Sequence, residues 1–133
     1  MSNIRNMDAY NNSFWDWSFL NGAFGGSSIR VSDVDGMVER GGNFLMIEGK
    51  KGGLLSPGQK IMYRSWVNRG NAFLLLSGMD HDDKNMVIYA AGGPWPQKGE
   101  TFHGKQDKVR QLCGQWYQWA NAHPKEQGKG TTA

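Results

Sequence analysis

The sequence predicts an α/β domain in which a mixed sheet is flanked by helices. Three observations lead there. Apolar runs of strand length alternate with segments of helical periodicity. Turn signals rich in glycine, asparagine and aspartate separate these runs. The chain has 133 residues, of which 38% are hydrophobic, enough for one domain with a modest core. No apolar run is long enough to cross a bilayer.

The elements follow in order. Residues 1–12 are rich in asparagine and are expected to be flexible. A short helix is predicted over 14–20, capped by Asn12 or Ser13 and stopped at Asn21-Gly22. After the loop Gly25-Gly26-Ser27-Ser28, residues 29–39 read as a strand bent near Asp35-Gly36. Arg40-Gly41-Gly42-Asn43 is a turn, which makes 44–50 the hairpin partner. That second strand is almost wholly apolar up to Glu48, as expected of a strand buried on both faces. Lys51-Gly52-Gly53 leaves it. Ser56 then caps a helix, with Pro57 at its first position and Gln59 three residues after the cap. Met62, Trp66 and Val67 give this helix an apolar side, and Gly70 ends it. Residues 72–76 and 86–91 are two further strands, joined by the polar turn His81-Asp82-Asp83-Lys84-Asn85. Gly92-Gly93-Pro94-Trp95-Pro96 is a loop. The last helix spans 105–122, with Val109, Leu112, Cys113, Trp116 and Ala120 on one stripe. Residues 125–133 form a polar tail, expected to be flexible.

Composition narrows the classes. The net charge of +3 and pI of about 9.1 are compatible with nucleic acid without specifying it. The lone Cys113 excludes an internal disulfide and a cysteine metal cluster. With no signal-peptide pattern, the expectation is an intracellular protein, cytoplasmic and without a membrane partner.

The chemistry concentrates around 35–59. Strand side chains alternate, so Glu48 and Lys50 share a face and Gly49 takes the other. If Asp35 ends the neighbouring strand, its carboxylate faces Glu48. Two carboxylates at one point make a hard oxygen site for Mg2+ or Mn2+, and a lysine beside it can position a water. That is equipment for metal-assisted phosphodiester hydrolysis. The competing account is a pair of exposed strand-end charges with Lys50 paired to Glu48. Against it, both acids end apolar runs, where solvation alone gives no reason for them.

Other residues carry two accounts each. Asp33 shares the face of Asp35 on a regular strand, as an accessory ligand or an edge residue. Asp16, on the predicted first helix, is a further acid for the site or a surface charge. Gln59 is a residue of the site or only completes a capping box with Ser56, and the two roles are compatible. Tyr63, one turn on, joins Gln59 or packs in the core. Lys51, Lys60, Arg64 and Arg69 neutralise phosphates or are merely solvated. Trp95 stacks on an unpaired base or wedges a junction, or else packs its loop or sits in a dimer interface. His81, Asp82, Asp83 and His103 lack zinc-ligand spacing.

Asp35, then Ile47-Glu48-Gly49-Lys50-Lys51-Gly52, then Leu55-Ser56-Pro57-Gly58-Gln59 together resemble the PD-(D/E)xK nuclease superfamily. The closer resemblance is to its stand-alone phage and bacterial VRR-NUC proteins, over roughly residues 29–78. Gln59 and Tyr63 also resemble the Gln-x-x-x-Tyr motif of RecB-like nucleases in that superfamily. The resemblance implies a restriction-endonuclease-like core over the single domain 1–133. It implies Mg2+, with Mn2+ as substitute, bound by Asp35, Glu48 and the backbone carbonyl of Gly49. Lys50 would assist the attacking water and Gln59 would orient it. It implies a homodimer cutting branched DNA such as Holliday junctions in a bacterial cell. Gly49 departs from the family, which usually has an apolar residue there. The alternatives are a catalytically inactive nuclease fold that binds DNA or a host protein for a phage, and an exonuclease for linear ends.

Overall fold

The computed structural model describes residues 15–50, 55–78, 86–92 and 99–125. They belong to two compact units, one ending at Asp33 and the other beginning at Val34. The predicted turn at 81–85, Lys51 and Trp95 lie outside the described residues, as do 1–12 and most of the tail.

In the first unit the helix expected over 14–20 is not formed. A single 3-10 turn, Ser18–Leu20, stands in its place. Asp16 accepts the backbone N–H of Ser18 at 2.9 Å, a local bond that competes with helix propagation. No residue of the turn is buried, and Trp15 and Phe19 are 68% and 70% exposed. A helix this short needs a buried apolar face to persist.

The second unit carries a five-stranded sheet in the order β1-β2-β3-β4-β5. The strands are β1 (Gly36–Arg40), β2 (Asn43–Lys50), β3 (Ala72–Ser77), β4 (Met86–Ala91) and β5 (Glu100–Gly104). The helices are α1 (Pro57–Asn68), between β2 and β3, and α2 (Gln106–Ala122), after β5. β2 and β3 are parallel, as a helical crossover requires, and every other pair is antiparallel. The expected α/β class, a mixed sheet flanked by helices, is therefore the one observed.

Two strands differ from expectation. The strand over 29–39 is formed only from Gly36. Residues 29–35 are almost all exposed, so a longer strand there would bury nothing. β5 was not legible as a strand. Its segment, Glu-Thr-Phe-His-Gly, offers one large apolar residue, and it joins the sheet by backbone pairing with β4.

Local chemistry explains the rest. Arg40 pairs with Asn43 across a two-residue loop, Gly41 and Gly42, whose φ values are +60° and +82°. That is the type I′ turn that matches strand twist, and it requires residues tolerant of positive φ. α1 opens with both arms of a capping box between Ser56 and Gln59. It closes with Gly70 N–H on Val67 O and Asn71 N–H on Trp66 O, a Schellman motif.

Alternation gives the sheet two apolar faces. Leu45, Ala72, Leu74, Ile88 and Ala90 pack against Leu112, Trp116 and Ala120 of α2. Met46, Phe73 and Leu75 pack against Tyr63, Met62, Trp66 and Val67 of α1. Tyr63 stacks on Phe73 with ring centroids 4.1 Å apart. Buried Asn43 ties β2 to the end of α2, donating to the carbonyls of His123 at 2.9 Å and Ala120 at 3.4 Å.

Candidate active site

The register of the hairpin sets the geometry. β1 begins at Gly36, opposite Ile47, so Asp35 stands one residue beyond the pairing and level with Glu48. The backbone N–H of Asp35 donates to Glu48 Oε1 at 3.2 Å. In return, the backbone N–H of Gly49 donates to Asp35 Oδ2 at 2.9 Å. Each carboxylate thus accepts a backbone N–H from the segment opposite, and the two converge as the sequence predicted.

Their environments differ. Asp35 is exposed, whereas Glu48 is only 3% exposed, on the α1 face of β2. Burial pushes the Glu48 carboxyl above its ordinary value. The Asp35 amide pulls it back and the Asp35 charge pushes it up again, while the Tyr63 hydroxyl favours the ionised form. Tyr63 holds its own proton more tightly than usual, through burial first and then the negative charge of Glu48.

Two acids side by side, one buried, call for a cation. Among the described residues no Lys, Arg or His nitrogen lies within 4.0 Å of either carboxylate. Nor does a third His, Cys, Asp or Glu join the pair among those residues. Mg2+ is commonly held by one or two carboxylates, its other positions going to water and substrate phosphate. Asp35 and Glu48, with the carbonyl of Gly49, have the donor chemistry such an ion requires. A Cβ at Gly49 would meet only Asp35 Oδ2, at 3.9 Å, so the site does not demand glycine there.

The remaining expected residues divide. Lys50 is half-buried, two residues beyond Glu48 on the same face of β2, opposite Ser77. Among the described residues it forms no ion pair, so its ammonium is not consumed by Glu48. Gln59 spends its Oε1 on the Ser56 N–H at 3.0 Å, and the capping account holds. Its amide nitrogen keeps two donors for any second role. Tyr63 is in the core, as the packing account expects, and its hydroxyl favours the ionised form of Glu48.

Lys60 and Arg64 are exposed on α1, the first directly after Gln59 and the second past the middle of the helix. Arg69 caps the opposite end of α1, about 15 Å along the helix from Gln59, and donates to Ser65 O. Asp33 is not on a strand, and its carboxylate accepts the Trp17 indole N–H at 2.9 Å. Asp16 is not on a helix and is engaged by Ser18. These two acids are held by bonds within their own unit.

Tyr89 was missed. It lies on the α1 face in one row across the sheet, Glu48–Leu75–Tyr89–Thr101. The signal was available in β4, where Met86, Ile88 and Ala90 alternate with Val87 and Tyr89. A cleft of about 340 Å3 opens beside it, lined by Leu55, Lys60, Tyr63, Arg64, Phe73 and Tyr89 among others.

No family model, no curated protein and no solved structure matches this chain.

Proposed function

We propose that the chain is a Mg2+-dependent endonuclease of the PD-(D/E)xK type that hydrolyses phosphodiester bonds in DNA. The observation that carries this reading is the convergence of Asp35 and Glu48 across the hairpin, without a protein cation among the described residues. Lys50 beside them and the ordered sequence motif support it. A divalent cation at the pair would supply Lewis acidity to the scissile phosphate and lower the pKa of a water.

The chain's own residues do the rest. Asp35 and Glu48 hold their oxygens in place because each accepts a backbone N–H. Tyr63 favours the charged form of Glu48, against the burial that disfavours it. Lys50 orients the attacking water, or meets the negative charge growing on phosphate, from the same strand face. Gln59, fixed by the helix cap, offers its amide to the water. Lys60 and Arg64 neutralise flanking phosphates. A homodimer would present two such centres for paired cuts in a branched substrate.

The test is cleavage of a labelled four-way junction, a flap and a plain duplex with Mg2+, Mn2+ or EDTA. Metal-dependent cutting that Lys50→Ala lowers by about 10²–10³, without loss of fold, is the expected result. No cutting of any DNA under any condition would overturn the reading in favour of a non-catalytic binder.

A further inference from the structure

α1 packs over β2 and β3, and the same face of the sheet continues past it. On β4 this leaves Val87 and Tyr89 39% and 41% exposed. The cleft of about 340 Å3 occupies that step, with Phe73, Leu55 and Val67 as apolar lining. Lys60 and Arg64 stand on its α1 side, exposed and, among the described residues, without an ion-pair partner. Tyr89 lies against the backbone of Gly99. A Cβ added at Gly99 would come within 2.5 Å of the Tyr89 hydroxyl oxygen and 3.1 Å of its Cζ. The tyrosine is therefore placed by its support and left open to the cleft.

We propose that this cleft receives one unpaired nucleotide of a DNA strand, its base stacked on Tyr89 and its flanking phosphates on Lys60 and Arg64. An apolar hollow with a cationic rim matches the two parts of a nucleotide, a flat base and a charged backbone. A base inside a duplex shows only its edges, so the face that meets Tyr89 has to be unstacked. Tyr63 lines the cleft, and its hydroxyl favours the ionised form of Glu48, so the cleft and the carboxylates share this residue. Tyr89 stands two strands from Glu48 in one row, or roughly 10 Å. The inference rests on the nuclease reading for its placement. It narrows the substrate to DNA with a single-stranded segment next to the cut, such as a flap or splayed arm.

The experiment is fluorescence anisotropy in EDTA, so that binding is measured apart from cleavage. The probes are a short labelled oligodeoxythymidine and a duplex of the same length. The proteins are wild type, Tyr89→Ala, Tyr89→Phe and Glu48→Gln. Wild type should bind the single strand more tightly than the duplex. Tyr89→Ala should weaken single-strand binding by about tenfold or more and leave duplex binding nearly unchanged. Tyr89→Phe should keep the affinity, and Glu48→Gln should bind at least as well as wild type. Equal single-strand affinity in Tyr89→Ala, or a preference for duplex in wild type, would overturn the proposal. Failure of cleavage alone would strike the nuclease reading and leave this result standing.

Discussion

The charge on Glu48 should destabilise the protein when no cation is bound, and Glu48→Gln should reveal it. The carboxylate is 3% exposed and is braced against Asp35 across one backbone hydrogen bond. Like unit charges ~4 Å apart repel by ~4 kcal/mol at an effective dielectric constant near 20, which sets the upper scale. The hydrogen bond that the carboxylate accepts from Asp35 N–H recovers about 1.5–3 kcal/mol of this. The balance is on the order of 1 kcal/mol against the ionised form. Glutamine has the same shape, still accepts from Asp35 N–H, and carries no charge. In EDTA at neutral pH the variant should therefore be more stable by about 1 kcal/mol, or roughly 3–5 °C in Tm for a chain of this size.

The pH dependence follows the same sign. Glu48 titrates higher in the folded protein than its ordinary 4.5, so the folded state holds the proton longer. Its contribution to stability is present below that ordinary value and is lost as pH rises through the raised one. The gap between wild type and variant should thus close as pH falls toward 4.5. Saturating Mg2+ should reverse the order, since a cation at 100 times its Kd stabilises by ~2.7 kcal/mol. Thermal melts at a series of pH values, with EDTA and with Mg2+, read all of this. A Glu48→Gln protein less stable than wild type throughout, with no response to pH, would refute the reasoning and make Glu48 a structural anchor.

Other substitutions separate neighbouring roles. Lys50→Ala should leave stability within about 0.5 kcal/mol of wild type, because no partner among the described residues is lost, while turnover falls. Tyr63→Phe keeps the stack on Phe73 but removes the hydroxyl that favours ionised Glu48. The acidic limb of the pH–rate profile should move to higher pH, with a stability cost of about 1 kcal/mol or less. Ser56→Ala and Gln59→Ala each break one arm of the capping box and should each cost ~1 kcal/mol by denaturant melts. A fall in turnover confined to Gln59→Ala would assign the glutamine its second role.

The candidate site was legible because its parts are local in sequence. Strand alternation alone places Glu48 and Lys50 on one face, and the hairpin signal at Gly41-Gly42 brings Asp35 to the same level. Ser56-Pro57 announces α1, and the Leu112–Trp116–Ala120 stripe announces α2. What escaped depends on long-range pairing. β5 exists because β4 offers it a partner edge, and one phenylalanine does not advertise that. Tyr89 matters through a row shared with Glu48, which requires the strand order to be known. Asp16 and Asp33 looked like site acids because a helix and a longer strand were expected under them. Their carboxylates instead close a tight turn and bind an indole. Local side-chain bonds of this kind compete with regular structure and leave little trace in periodicity.

The central claim is that Asp35 and Glu48 together form a divalent-cation site. Titration calorimetry of Mn2+ into the wild-type protein, Asp35→Asn and Glu48→Gln at neutral pH tests it most directly. The account predicts one cation per chain for wild type, weakened strongly by either substitution, with all three proteins folded. No heat of binding in wild type up to millimolar Mn2+, or equal affinity in the three proteins, would contradict it.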